Sequence, residues 1–174
     1  MITQALVKQL FAYDNGNLIR LKASGGSASN SIAGWITVCN GVNYKKVSVD
    51  KKTHYVHRII YLWHHGYMPK VVDHINNNSL DNRIENLREA NQSQNCANQR
   101  LNKNNKSGAK GITHNKKSKK YIARVMVNRK NIWLGSYYSI EDAINAYKVG
   151  SEKYFGEFAR SEQASERLGV KTTE

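Results

Sequence analysis

The stretch Val71–Asn95, which reads VVDHINNNSLDNRIENLREANQSQN, decides how this chain is interpreted. Its first residues, VVDHI, have the composition of a short strand, and NLREA is typical of a second strand. The asparagines between them favour a turn, because asparagine tolerates left-handed backbone and bonds its own chain. SQNCANQ then predicts a short helix, so the order expected here is strand, strand, helix.

Four polar side chains of this stretch could converge on one point. Asp73 and His74 lie on the first predicted strand, while Asn86 begins the second and Asn95 lies on the helix. A carboxylate is a hard oxygen ligand that suits Mg²⁺ or Mn²⁺, and a neutral imidazole can accept a proton from water. Phosphodiester cleavage needs both a cation and a positioned base. The simpler alternative is an asparagine-rich turn beside a chance Asp-His pair.

The charge balance argues for a polyanionic partner. The 174 residues include 27 Lys and Arg against 13 Asp and Glu, which gives a formal net charge of +14 at pH 7. Such an excess favours nucleic acid over a membrane surface. Between Ala90 and Ile140 there are 11 basic residues and no acidic residue, so the positive charge is concentrated there.

Targeting and cysteine patterns favour a cytoplasmic protein. No apolar run approaches the roughly 20 residues that span a bilayer, and the first residues lack the architecture of a signal peptide. Cys39 and Cys96 form no CxxC pair, which excludes a four-cysteine zinc site and gives no disulfide framework. We therefore expect a reducing compartment, no structural zinc and no small-molecule cofactor.

Together with His57-Arg58, the stretch resembles the HNH nuclease motif, in the asparagine-variant form of phage and intron homing endonucleases. The resemblance implies a ββα-metal fold around one divalent cation, Mg²⁺ or Mn²⁺. It makes His74 the general base and makes Asp73 and Asn95 the metal ligands. Asn86 would orient His74 through its other ring nitrogen. Asn95 stands where many HNH enzymes have histidine, and its amide oxygen favours hard cations such as Mg²⁺.

The other polar residues of the stretch have structural interpretations. His57 precedes an apolar helix and could be a satisfied core histidine. Asn76 to Asn78 and Asn82 are expected to form the turn. The neighbouring charged residues are more consistent with structural ion pairs than with chemistry, and they are Asp81, Arg83 and Glu85.

Residues 1–55 predict a small antiparallel sheet. Asp14-Asn15-Gly16 joins LFAY to LIRL, and Asn40-Gly41 joins WITVC to VNYKKVSV, both as hairpin turns. A short buried helix follows and ends at Gly66. Its apolar residues are Ile59, Ile60, Leu62 and Trp63.

The segment after NQRLNKNNKSGAK, which has the composition of a linker, predicts three strands and a helix. The strands are KGITHN, YIARVMVNRK and NIWLGSYY, and the helix begins after Ser139, whose spacing to Asp142 resembles a capping box. Gly156 ends that helix. Residues 105–160 resemble an AP2 domain through the Lys-Gly-Ile start, Tyr-Ile-Ala-Arg, Trp-Leu-Gly, Glu-Asp-Ala and Phe-Gly-Glu-Phe-Ala. The resemblance implies a sheet that enters the DNA major groove with the helix packed behind it.

A set of candidate DNA contacts follows. The positions that match the AP2 family's DNA-facing residues are Lys110, Gly111, Thr113, Arg124, Met126, Asn131 and Trp133. The basic residues expected to meet phosphates are Lys116, Lys117, Lys119, Lys120, Arg129 and Lys130. In the first half the candidates are Arg58, Asn98 and Arg100. The alternative is a solvated basic face.

The expected fold class is α+β. A small antiparallel N-terminal sheet leads into a ββα-metal nuclease core, and an AP2-like three-stranded sheet packed on one helix follows. We place the nuclease domain at residues 1–104, with the N-terminal β region at 1–55 and the core at 56–100. The AP2-like domain takes residues 105–160, and residues 161–174 are a polar tail.

The expected function is that of a metal-dependent homing endonuclease that cuts double-stranded DNA as a monomer. It would act in the host cytoplasm if the protein is phage-encoded. A non-catalytic DNA-binding regulator built on the same scaffold is the alternative from another class, and an RNA-acting or packaging-associated nuclease is a third. The target sequence and the choice between nicking and double-strand cutting are not legible in the sequence.

Overall fold

The computed structural model describes residues 2–101 and 104–160. The described chain is mixed α+β, with several small antiparallel sheets, as the sequence predicted. It divides into two compact units, residues 1–90 and residues 91–174. The predicted polar tail, residues 161–174, lies outside the described residues.

The first unit begins with a helix that the sequence analysis did not predict. Helix α1 spans Gln4–Leu10, and the Thr3 hydroxyl caps it by accepting a hydrogen bond from Leu6 N at 3.3 Å. The expectation of a purely β N-terminal region was therefore wrong at its start. A helix this short is stabilised mainly by packing, here through the fully buried Val7, and not by local propensity.

The predicted hairpins of the first unit are confirmed. Strands β1 and β2 pair antiparallel through Asn15-Gly16, and β3, β4 and β5 form a three-stranded sheet in that order. Both turns that the sequence marked, Asn15-Gly16 and Asn40-Gly41, have positive φ at each residue, as tight hairpin turns require. The strands span Phe11–Asp14, Asn17–Arg20, Trp35–Cys39, Val42–Val49 and Lys52–Tyr55.

The predicted buried helix follows β5 directly. Helix α2 spans Val56–His65, and Gly66 ends it in the left-handed conformation that favours glycine. Ile59 and Ile60 are fully buried in the core of this unit. Strand β6, Val71–His74, then pairs antiparallel with β7, Leu87–Ala90, and a 3₁₀ turn precedes β7. The core therefore supports the hairpin that carries Asp73 and His74.

The second unit contains the predicted order of three strands and one helix. Helix α3, Gln92–Asn98, precedes them and opens with a capping box between Asn91 and Gln94. Strands β8 to β10 form an antiparallel sheet with β9 in the centre, and Ser139 caps helix α4. The strands and α4 span Ile112–Asn115, Lys120–Val127, Lys130–Tyr137 and Ile140–Phe155.

The division between the units falls before α3, whereas the sequence analysis placed a boundary near residue 105. Helix α3 packs against α4 and against the 3₁₀ turn Gly156–Phe158. Ser93 on α3 also donates a hydrogen bond to Asn128 Oδ1 at 3.3 Å and accepts one from Asn128 N at 3.0 Å. These contacts join α3 to the second unit.

Candidate active site

Asp73 and His74 end strand β6, beside β7 in the first unit. Asp73 lies opposite Arg88 and His74 opposite Leu87 in the strand register. Both side chains are buried, at 5% and 8% exposure, although neighbouring strand residues ordinarily point to opposite faces. His74 is the last strand residue, and its carbonyl accepts a hydrogen bond from Asn77 N at 2.9 Å as the chain turns.

The His74 ring is held by two neighbours. Its Nε2 lies 3.1 Å from Oδ1 of Asn82, which is 2% exposed. The His57 ring meets it edge-on, with 4.9 Å between ring centroids. Burial lowers the pKa of His74, while the Asn82 hydrogen bond and the Asp73 and Asp81 carboxylates act in the opposite direction. A lowered pKa keeps the imidazole neutral near pH 7, as a proton acceptor must be.

The Asp73 carboxylate forms an ion pair with Arg88. Arg88 Nε donates to Asp73 Oδ2 at 3.0 Å, and the two side chains are 12% and 5% exposed. A charge-assisted contact of this kind fixes the carboxylate in place and compensates its burial. The sequence analysis did not identify Arg88, although its register opposite Asp73 follows from the predicted hairpin.

Asn86 holds the loop that joins β6 to β7. Its Nδ2 donates to Asn76 Oδ1 at 3.0 Å and to Asp81 O at 2.7 Å, and its Oδ1 accepts from Asn76 N at 3.0 Å. Asn86 was predicted to orient His74. These three bonds go to the loop, and the hydrogen-bond partner of His74 Nε2 is Oδ1 of Asn82, which had been assigned to the turn.

His57 is a buried neighbour of the site that sequence reasoning left as a core histidine. It is 7% exposed, and its ring also contacts those of Tyr55 and Tyr44, at 5.4 and 6.0 Å between centroids. Burial lowers the pKa of His57 to about 3, with smaller effects from His74 and Arg58. The uncharged ring of His57 therefore packs against His74. The position of His57 at the start of the amphipathic helix α2 was the available indication.

Comparison with known proteins identifies the segment that carries this geometry. Residues 54–97 match a family model described as HNH endonuclease. We refer to this matched segment, residues 54–97, as the HNH domain. An uncharacterized HNH endonuclease of Acanthamoeba polyphaga mimivirus is 36% identical over 116 residues, which make up 65% of this chain and 59% of that relative. The matched region thus spans less than two thirds of the relative's length. No solved structure matches the chain.

The family model and this relative are both described as HNH endonucleases. The domain begins in β5 and ends in α3, so it contains Asp73, His74 and Asn86 on the hairpin and Asn95 on the helix.

Among the residues that the structure describes, no helix is both long enough and apolar enough to cross a membrane.

The donor chemistry of the HNH domain fits a hard cation. Asp73 supplies a carboxylate, which is a hard oxygen ligand. Asn95, which is half-buried on α3, offers an amide oxygen. Within residues 2–101 and 104–160, no three His, Cys, Asp or Glu side chains are grouped to hold a metal. Mg²⁺ commonly keeps several waters and uses one or two carboxylates, which suits so sparse a set of protein ligands.

Several predicted DNA contacts lie on the exposed face of the sheet in the second unit. Ala123 and Val125 on β9 are buried, whereas the alternate residues Arg124 and Met126 are exposed, as expected along a strand. Trp133 pairs with Arg124, and Asn131 with Met126. The exposed predicted residues of this unit are Arg100, Gly111, Thr113, Lys116, Lys117, Lys119, Arg124, Met126, Arg129, Lys130, Asn131 and Trp133. Lys120 is half-buried, with its Nζ 4.6 Å from the centroid of the Tyr138 ring.

Three residues that were predicted to contact DNA are engaged or buried within the protein. Lys110 Nζ donates to the carbonyls of Cys96, Ala97 and Gln99 at the end of α3. Arg58 donates to the carbonyls of Pro69 and Lys70 at 2.8 and 3.0 Å, which fixes the chain just before β6. Asn98 is 4% exposed. Lys110 and Arg58 thus donate to backbone carbonyls at the end of α3 and just before β6.

Gly111, also predicted to face DNA, is required by packing. Its φ is +70°, and a Cβ there would overlap the Tyr147 ring on α4 and the carbonyl of Arg124. Any side chain at this position would therefore be strained by its backbone and by its neighbours. The glycine of Lys-Gly-Ile is therefore explained by the close approach of Gly111, just before β8, to β9 and α4.

Proposed function

We propose that this protein is a metal-dependent DNA endonuclease in which His74 is the general base. The observation that carries the proposal is the buried His74 ring of the HNH domain, next to the Asp73 carboxylate and held by a hydrogen bond from Nε2 to Asn82. A neutral, oriented imidazole is the group that hydrolysis of a phosphodiester needs in order to activate water.

His74 accepts a proton from a water molecule as the water oxygen forms a bond to phosphorus. The bond between phosphorus and the 3′ oxygen breaks, and that oxygen is protonated from solvent. The products are a 5′ phosphate and a 3′ hydroxyl. His74 then returns its proton to solvent, which its lowered pKa favours at neutral pH.

Asp73 and Asn95 are the proposed ligands of one divalent cation, Mg²⁺ or Mn²⁺. The assignment of Asn95 rests on the resemblance of the sequence to the HNH motif. When bound, the cation would offset the charge that develops on the phosphate and on the leaving oxygen. Arg88 holds the Asp73 carboxylate, so the ligand is oriented before a cation arrives.

The exposed sheet face of the second unit is the proposed site of additional DNA binding. Arg124 and Trp133 are neighbours on that face, and basic turns flank it. Phosphate contacts from lysines and arginines provide affinity that weakens with salt, while side chains at base edges provide sequence preference. The likeness to an AP2 domain supports this placement.

The resemblance of the sequence to asparagine-variant HNH homing endonucleases also indicates a type of endonuclease. We propose a free-standing endonuclease of the homing type that acts on double-stranded DNA as a monomer, in the cytoplasm of the host cell. The HNH family match and the viral relative support the nuclease part of this proposal.

Incubation of the purified protein with plasmid DNA tests the function. We expect nicked or linear product with Mg²⁺ or Mn²⁺, and none with excess EDTA. DNA binding without any cleavage across Mg²⁺, Mn²⁺ and Ca²⁺ would favour a non-catalytic DNA-binding protein. Faster cleavage of structured RNA than of duplex DNA at matched salt would reassign the substrate.

A further inference from the structure

We propose that Asn82 is a positioning residue that holds the His74 ring in the form protonated at Nε2. Asn82 lies on the loop between β6 and β7, where the run of asparagines predicted only a turn. Its effect on cleavage rests on the proposed function, whereas the hydrogen bond and the ring form that it selects do not.

The geometry of the contact gives the amide oxygen a single chemical role. Oδ1 of Asn82 lies 3.1 Å from Nε2 of His74, and both residues are buried. An amide oxygen accepts hydrogen bonds and cannot donate them, so Nε2 carries the proton when the ring is neutral. The lone pair of the neutral ring is then on Nδ1. Water activation by His74 would therefore occur at Nδ1.

Asn82 is itself fixed by the surrounding first unit. The residues on either side, Asp81 and Arg83, are joined by hydrogen bonds at 2.8 Å from Arg83 Nε and from its terminal nitrogen. The Tyr13 hydroxyl accepts a hydrogen bond from Ile84 N at 3.1 Å. Gly16 in the β1–β2 turn lies so close that a Cβ would be 2.8 Å from Arg83 N. The loop that carries the Asn82 amide is thus held by the Asp81–Arg83 contacts and by the β1–β2 hairpin.

Asn82 and Asn86 have different roles, which the sequence alone does not distinguish. Asn86 uses its amide to hold the loop through Asn76 and Asp81. Asn82 turns its oxygen to the ring of His74. Both are buried, while Asn76 and Asn78 in the same loop are exposed. The inward-facing position of Asn82 is therefore the feature that distinguishes a partner of the ring from a turn residue.

Nitrogen NMR of the histidine rings tests the assignment without any need for cleavage. Long-range proton–nitrogen correlations would be recorded at about pH 8.5, roughly two units above the ordinary histidine pKa. The His74 signals would be identified by their loss in His74→Gln. We expect an unprotonated Nδ1 and a protonated Nε2 whose hydrogen is protected from exchange. A ring protonated at Nδ1 in the unmodified protein would overturn the proposal.

Two substitutions extend the test to catalysis. Asn82→Asp keeps an acceptor oxygen and should keep the protected Nε2 hydrogen and most of kcat. Asn82→Leu removes the acceptor, so the hydrogen should exchange freely and kcat should fall about 10- to 100-fold with KM for DNA unchanged. Asn78→Leu, an exposed residue of the same loop, is the control and should change neither value.

The outcomes separate this inference from the proposed function. Unchanged ring signals and unchanged kcat in Asn82→Leu would overturn it, as would loss of the Nε2 hydrogen in Asn82→Asp. If Asn82→Leu does not fold, the spectra of the unmodified protein and of Asn82→Asp still show whether Nε2 of His74 carries the hydrogen. If the unmodified protein cuts no DNA, the proposed function fails while the ring spectrum still decides the role of Asn82.

Discussion

Arg88 donates a hydrogen bond from Nε to the Oδ2 of Asp73 at 3.0 Å, directly across the β6–β7 hairpin. The pair is almost fully shielded from solvent. Arg88 therefore stabilises a buried carboxylate at the position where the HNH domain is expected to hold its cation. The same contact is thus a buried ion pair and holds Asp73, the carboxylate that we propose as a metal ligand.

Arg88→Met should destabilise the protein strongly, because it leaves Asp73 buried without this cation. Loss of one partner from a buried pair costs roughly 3–5 kcal/mol, which urea unfolding would measure. Glu85→Gln is the control, since its contact with Arg83 is exposed at both side chains and exposed pairs contribute little. Equal losses in the two variants would show that the Asp73 contact is no stronger than a surface pair.

Asn86→Asp should disrupt the loop despite its nearly identical shape. A carboxylate has no hydrogen to donate to Asn76 Oδ1 or to the carbonyl of Asp81, so two acceptors would face negative oxygens. We expect roughly 1–3 kcal/mol of lost stability in denaturant unfolding. Asn78→Asp on the exposed part of the loop should cost much less. An unaffected Asn86→Asp would mean that the loop does not depend on this amide.

The buried His57 should make stability fall in acid. Its folded-state pKa of about 3 lies below the ordinary value of 6.5, so the unfolded chain binds more protons between these two values. Above about pH 6.5, His57 therefore does not change the free energy of unfolding. Between this pH and about pH 3, it lowers the free energy of unfolding by roughly 1.4 kcal/mol per pH unit. His57→Phe keeps a ring and cannot titrate, so its unfolding free energy should fall less steeply. Parallel curves for the two proteins from about pH 7 to pH 4 would contradict this account.

DNA affinity should depend on which face of the second unit loses a charge. Arg124→Gln on the sheet and Lys148→Gln on the exposed side of α4 each remove one positive charge. Fluorescence anisotropy with duplex DNA should show a loss of about 1–3 kcal/mol for Arg124→Gln. Lys148→Gln should have almost no effect. Equal losses would indicate a general charge effect and would remove the sheet face from the proposal.

The sequence was most informative where local chemistry determines structure. Asn15-Gly16 and Asn40-Gly41 specify tight hairpin turns through positive φ, and Gly66 specifies the end of α2. Arg124 and Met126, which were predicted to face DNA, are exposed, and they alternate with the buried Ala123 and Val125 as strand geometry requires. These features depend on residues within one turn or one strand, so a single chain without relatives is enough to predict them.

Features that depend on distant residues were missed or misassigned. Helix α1 is stabilised by packing, and its Gln4 side chain donates to the carbonyl of Trp63, 59 residues away. Asn82 and Asn78 have the same chemistry, and only the fold makes one buried and the other exposed. Arg58 and Lys110 looked like free cations, but backbone carbonyls brought close by the fold bind them. Local sequence carries no information about such partners.

The central claim is that His74 is the base of a DNA-cutting site. Its most direct test is single-turnover cleavage of a long duplex DNA by the unmodified protein and by His74→Ala, with DNA binding measured in parallel. We predict that His74→Ala loses cleavage by about 100-fold or more while its affinity for DNA is retained. Cleavage by His74→Ala at the unmodified rate would contradict the account.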